Sequence, residues 1–189
     1  MRKLLLLLVF ALNATCIYAG QVTVRGTVKN QKDSVIVFNQ NDFDAITRAH
    51  SYKRHEALIN KDGSFEVTLP LARITEWVVH LDGDFELIHL APDKNVTLLV
   101  DFKNQENTLS AIGENSEYVN FDTFLSKNLW NKYDRTYYQR IAKLSAPEFL
   151  KEQQERSQKQ LALLTAYSKN HKVDKAYAQW LKIKCKYEP

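Results

Sequence analysis

The feature that most constrains this chain is a change in hydrophobic period at Gly113. Before it, apolar residues alternate with polar ones. Val22, Val24 and Val28 do so, as do Phe65, Val67 and Leu69, and short apolar runs occupy residues 35–38, 77–81, 85–90, 96–100 and 109–112. Period two is the signature of half-buried strands. Lys61-Asp62-Gly63 and Asp82-Gly83-Asp84 stand between runs as turn signals, the second predicting a hairpin. Residues 39–52 are ambiguous, reading as a loop or a poorly patterned strand. Several short strands joined by polar turns predict an antiparallel β-sandwich or barrel over residues 20–112.

After Gly113 the period lengthens to three and four. Ser116 can start a helix carrying Val119, Phe124, Leu125, Leu129 and Tyr133. Ser145-Ala146-Pro147-Glu148 is a capping-box start with proline early in the helix. That helix should run to about residue 170, with Phe149, Leu150, Leu161, Leu164 and Tyr167 on its buried side. Its polar middle, residues 151–160, should project into solvent. Asp174 can start a third helix. The fold class is therefore α+β in two modules, a β-sandwich or barrel over 20–112 and about three helices over 113–189. Charge divides at the same place. Residues 20–112 carry 10 basic and 13 acidic side chains, and residues 113–189 carry 14 and 9, for nets of −3 and +5.

The first nineteen residues read as an export signal. Arg2 and Lys3 precede the apolar run at 4–12, which is too short to span a bilayer, and Ala19 closes a candidate cleavage site. The mature chain is expected in the periplasm or secreted. Lipidation at Cys16 is a lesser alternative that would bring membrane association, because Asn13-Ala14-Thr15 fits a lipobox poorly. With Cys16 removed, Cys185 stands alone, so a mature monomer has no internal disulfide and no CxxC. A mature net charge of +2 is too weak to indicate nucleic acid.

Catalytic signatures are missing: no HExxH, nucleophile elbow or phosphate loop occurs, and no cofactor is expected. His80 and His89 flank the predicted hairpin and could lie on neighbouring strands, but zinc needs further convergent ligands. Asp82, Asp84 and Glu86 do not complete a calcium loop. Trp130, Tyr133, Tyr137 and Tyr138 form an aromatic cluster whose spacing fits helix packing better than an exposed platform for sugars or peptides. Tyr177, Trp180, Leu181 and Cys185 share one helical face that needs a partner. Candidate interaction residues are thus Trp130, Tyr133, Tyr137, Tyr177, Trp180 and Cys185. Lys182, Lys184 and Lys186 could favour a thiolate at Cys185 if they surround it.

The order of parts carries a resemblance. The opening QVTVRGTVKNQKDSVIVF, the strand pair around KDGSFEVTLP, the stretch FELIHLAPDKNVTLLVDF and the junction LSAIGENSEYVNFDTF precede long polar helices. This resembles the N-terminal region of TlpA-like, AhpC/TSA-type thiol–disulfide oxidoreductases of Bacteroidota. In that family, a β-sandwich of unassigned function and a helical segment precede a thioredoxin-like domain. The thioredoxin-like domain and its CxxC are missing from this chain, so no catalytic residue is implied. The resemblance implies an exported non-catalytic module that binds a client or partner, dimerises, or positions a redox domain, such as a C-terminal domain not in this chain. A stand-alone periplasmic sandwich that binds glycans or peptides is the alternative.

Overall fold

A computed structural model describes residues 20–44, 49–81, 84–101, 109–129 and 135–187. Eight strands form the first part: β1 (Gly20–Lys29), β2 (Val35–Asp44), β3 (Ala49–Leu58), β4 (Ser64–Leu71), β5 (Thr75–Leu81), β6 (Asp84–Leu90), β7 (Val96–Asp101) and β8 (Ser110–Gly113). They make two open four-stranded sheets, in the orders β4-β1-β7-β8 and β3-β2-β5-β6. The architecture is therefore a sandwich and not a closed barrel. It departs from a purely antiparallel arrangement at one place, where β1 and β7 run parallel from Val24↔Val96 to Lys29↔Asp101. Of the ambiguous stretch, residues 39–44 belong to β2 and residues 49–52 to its partner β3.

The alternation does what period two requires. Val22, Val24 and Val28 of β1, Phe38 of β2, Trp77 and Val79 of β5, Ile88 and Leu90 of β6 and Leu98 of β7 fill the space between the sheets. Gly26 occupies the inward position between Val24 and Val28 because its cross-strand partner Phe65 needs the room. A Cβ there would lie 2.2 Å from the Phe65 ring. Gly63 supplies the left-handed turn residue, with φ of 83°, in the Lys61-Asp62-Gly63 turn.

Four helices follow: α1 (Ser116–Asn128), α2 (Arg135–Ile141), α3 (Ala146–Tyr167) and α4 (Lys175–Tyr187). These are the three expected helices with a short one added. Asn115, not Ser116, occupies the cap position of α1. At the start of α3, Glu148 accepts from the Ser145 N–H at 2.9 Å and from its hydroxyl at 2.6 Å. Asp174 caps α4 by accepting the Tyr177 N–H at 3.0 Å.

A second apolar cluster lies between the helices and the sandwich, built from Ala91, Tyr118, Phe121, Leu125, Leu164, Tyr177, Leu181 and Cys185. Only the C-terminal half of α3 contributes to it. Phe149 and Leu150, expected on the buried side, are 40% and 53% exposed. They belong to the N-terminal half of α3, which meets α2 where Arg140 binds Glu152 at 2.8 and 3.1 Å. The polar middle of α3 is half-buried to exposed, as its composition requires. Among the described residues, no helix is long and apolar enough to cross a membrane.

Candidate functional site

The junction between the sandwich and the helices concentrates the polar chemistry of the molecule. It begins with α1, which lies against two edge strands. On one side, Asn120 binds the Ala111 backbone of β8 with both amide atoms, at 2.8 and 2.9 Å, as a neighbouring strand would. At its start, the wholly buried Asn115 accepts the Ala91 N–H at 2.9 Å and donates to the Ala91 and Lys94 carbonyls just after β6. Buried backbone groups at sheet ends need such partners. The three asparagine-made joints of this region are completed by Asn95, whose side chain accepts the Thr23 N–H at 2.9 Å.

On the β6 side, α1 presents Asp122, 6% exposed, to His89, 8% exposed. Asp122 Oδ2 accepts the His89 backbone N–H at 2.6 Å, and Oδ1 lies 3.0 Å from His89 Nδ1. The Tyr177 hydroxyl of α4 donates to the same Oδ1 at 2.5 Å. One carboxylate thus joins a strand and two helices. Because it is the acceptor for all three contacts, the proton of the His89–Asp122 bond belongs on Nδ1. The Trp180 ring lies 4.8 Å from the His89 ring between centroids. Glu76 on β5, directly paired with His89, brings Oε2 within 3.6 Å of Nε2, and Lys184 reaches the same Oε2 at 3.4 Å. His89 Nε2 is buried and makes no hydrogen bond. Burial and the neighbouring Asp122 charge push the Tyr177 hydroxyl well above its ordinary value, keeping it a donor.

A second polar group surrounds the start of α4. Lys94 donates to Asp174 at 2.7 Å and to the Tyr118 hydroxyl at 3.2 Å. Burial alone would raise the Asp174 carboxyl, yet hydrogen bonds from Lys94, the Tyr177 N–H and Tyr118 hold it down to about 2. Tyr118 and Tyr177 pack with ring centroids 4.6 Å apart and so connect the two groups.

The residues expected to matter divide accordingly. Tyr177 and Trp180 converge on His89. Cys185 lies two turns beyond Tyr177 on the same face, its thiol 3.5 Å from Gln160 Oε1 of α3. Burial pushes that thiol up, and Lys184 only partly opposes it. Lys182 and Lys186 are exposed. Tyr137 packs between the Arg140 and Arg156 guanidinium groups, at 5.3 and 4.8 Å from its ring, away from the junction. Trp130 and Tyr133 lie outside the described residues, as does Asp82 of the calcium-like run. His80 and His89 do not converge: His80 pairs with Phe85 beside the hairpin turn, and His89 with Glu76 at the far end. Among the described residues, no group of three His, Cys, Asp or Glu side chains is arranged to hold a metal ion.

Asp122, Glu76 and Asn115 escape a sequence reading. The one available signal was Asp122 itself, an acidic residue spaced with Tyr118 and Leu125 on the apolar stripe of α1. Chemically, a His–Asp pair supports proton transfer only if Nε2 faces a reacting group. Here Nε2 is buried beside Glu76, and the contacts of Asp122 join β6, α1 and α4 as a clamp.

No protein family matches the sequence, and no curated protein matches it. Among solved structures, it is similar to a protein from Bacteroides ovatus proposed to act in cell adhesion, at 8% identity and a TM-score of 0.31. That match covers 50% of this chain and 43% of the other.

Proposed function

We propose that this chain is an exported, non-catalytic module of the thiol–disulfide oxidoreductase lineage it resembles, acting by binding a client or partner protein or by positioning a redox domain. In this reading residues 1–19 direct export to the periplasm, and the clamp at His89 fixes the helices as a rigid extension of the sandwich. The supporting observation is the position of Cys185, the one free cysteine among the described residues: its side chain faces into the helix layer, and burial disfavours the thiolate that exchange requires. With the buried stripe of α4 taken up internally, one surface open to a partner is the N-terminal half of α3, where Phe149 and Leu150 are exposed.

The test is insulin reduction by the purified chain, with and without Cys185→Ser. The expected rate is that of a free thiol in both proteins. Turnover well above it that disappears in the variant would overturn the proposal. A stand-alone glycan- or peptide-binding sandwich is the alternative. It draws less support, because Tyr137 and Trp180 are engaged by Arg140, Arg156 and His89.

A further inference from the structure

We propose that the outer face of the β3-β2-β5-β6 sheet beside α4, together with the adjoining flank of α4, is a groove that receives one amphipathic helix of a partner protein. The floor follows from the register. Trp77 and Ile88 point into the sandwich core, so their neighbours Glu76 and His89, themselves a cross-strand pair, point outward. Lys184 reaches Glu76 and the Trp180 ring lies against His89, so α4 crosses the sheet along this row. Two residues back along the strands, the next outward row is Asn39, Val78 and Leu87, and the row beyond it is Val37, His80 and Phe85. Val37 and Val78 are half-buried, and Phe85 and Leu87 are 41% and 39% exposed. The wall follows from the helix phase. Leu181 and Cys185 turn into the cluster that includes Ile74 and Ala91, on the far side of the Glu76–His89 row. At 100° per residue, Ile183 and Tyr187 therefore lie on the flank of α4 toward Val78 and Leu87, and both are exposed.

The dimensions select the occupant. A helix packed beside another has its axis about 8–10 Å away. Outward rows on a strand are about 7 Å apart, so that axis falls between the Val78–Leu87 row and the Val37–Phe85 row. The new helix thus continues the contact that α4 already makes with the same face. A second copy of this chain fits poorly. Two sheet faces pack about 10 Å apart, and α4, about 10 Å thick, already fills that layer. The side of α4 away from the sheet carries the exposed Lys182 and Lys186, which would be pressed on the other copy's apolar floor. Charge then sets the partner's flank. Lys182 and Lys186 border the groove along α4, whereas Arg54 and Glu56 at the β3 side pair at 2.7 Å and cancel. A helix with an apolar stripe on the floor and acidic residues beside α4 matches both. This inference rests on the partner-binding part of the function proposed above. Insulin reduction and helix binding are separate readouts, so either can fail alone.

The probe is a fluorescein-labelled helical peptide of about 18 residues, with leucines at i, i+3, i+4 and i+7 and glutamates beside them, titrated with the full chain and followed by anisotropy. Saturable binding is expected. A peptide with lysines in place of the glutamates should bind about fivefold more weakly, and the gap should close at about 0.5 M salt. Leu87→Asp should weaken binding of the glutamate peptide by about tenfold or more, and Ile183→Asp by about fivefold. Leu150→Asp, on α3, should leave it unchanged. Should Leu87→Asp fail to fold by circular dichroism, Ile183→Asp, at a position already 49% exposed, decides. Light scattering should find the chain monomeric. The inference is overturned by absence of binding, by binding that Leu87→Asp and Ile183→Asp leave intact, or by loss through Leu150→Asp alone. A dimer that Leu87→Asp dissociates would overturn it too, making a second copy the occupant.

Discussion

The two interiors of this molecule are built on opposite principles. Between the sheets, Val22, Phe38, Trp77, Ile88 and Leu98 make an interior whose stabilisation comes from apolar area removed from water. Such packing fixes which faces meet but tolerates exchange of one hydrocarbon shape for another. Between the sandwich and the helices, an apolar cluster is also present, but Asp122, His89, Tyr177, Asn115 and Asn120 run through and beside it. Those contacts are directional, and each is expensive to leave half made. The difference assigns separate tasks: hydrocarbon sets the layers, and the polar groups set where the helices sit on them.

Substitutions can break that contrast. The largest effect is expected at the sandwich core, where Phe38→Ala should cost about 3–5 kcal/mol and lower the denaturant midpoint of strand and helix signals together. Asp122→Ala should cost about 3 kcal/mol, since it strands buried donors on His89 and Tyr177. Its loss should fall on α4 amides in hydrogen exchange and spare β1. If both regions lose protection equally, the two interiors are one cooperative unit and the contrast is wrong.

Asp174 sharpens it with acid. Its folded value of about 2 lies below the 3.8 of the unfolded chain. The stability this supplies is therefore present above about pH 4 and is lost as pH falls toward 2, amounting to about 2 kcal/mol. Asp174→Ala should flatten that part of an acid titration followed by far-UV circular dichroism. Tyr177→Phe keeps the ring contacts and removes one hydroxyl, so about 1 kcal/mol is expected in urea unfolding. Arg140→Ala, at the contact between α2 and α3, should change the same midpoint by less than about 0.5 kcal/mol.

Much of the fold was legible because one apolar face leaves a period in the sequence. β1 and β4 could be read from alternation, β6 from its apolar run, and Ser145 and Asp174 announced their helices. Residues 39–44 could not, because Asn39, Gln40, Asn41 and Asp42 offer no apolar face, and pairing with β3, joined at Asn39 and Gln40 by β5, makes them a strand. Phe149 and Leu150 misled for the converse reason: helical spacing shows that a stripe exists, not that anything covers it. The clamp was invisible because its members come from β5, β6, α1 and α4, with Glu76 and Tyr177 a hundred residues apart in the chain. Directional contacts between distant residues leave no local period.

The parallel pairing of β1 and β7 also imposes a schedule. β1 completes its sheet only when β7 arrives, and Val24 must wait for Val96 while all of the facing sheet intervenes. Loops of that length close late, so this part should fold on the order of milliseconds to seconds, toward the slow end for small domains. During synthesis, β1 emerges early and spends that interval with its β7 edge unpaired while β4 takes the other edge. α1 can seat only after β8 exists for Asn120 to bind, so helix docking marks a nascent chain whose sheets are already closed.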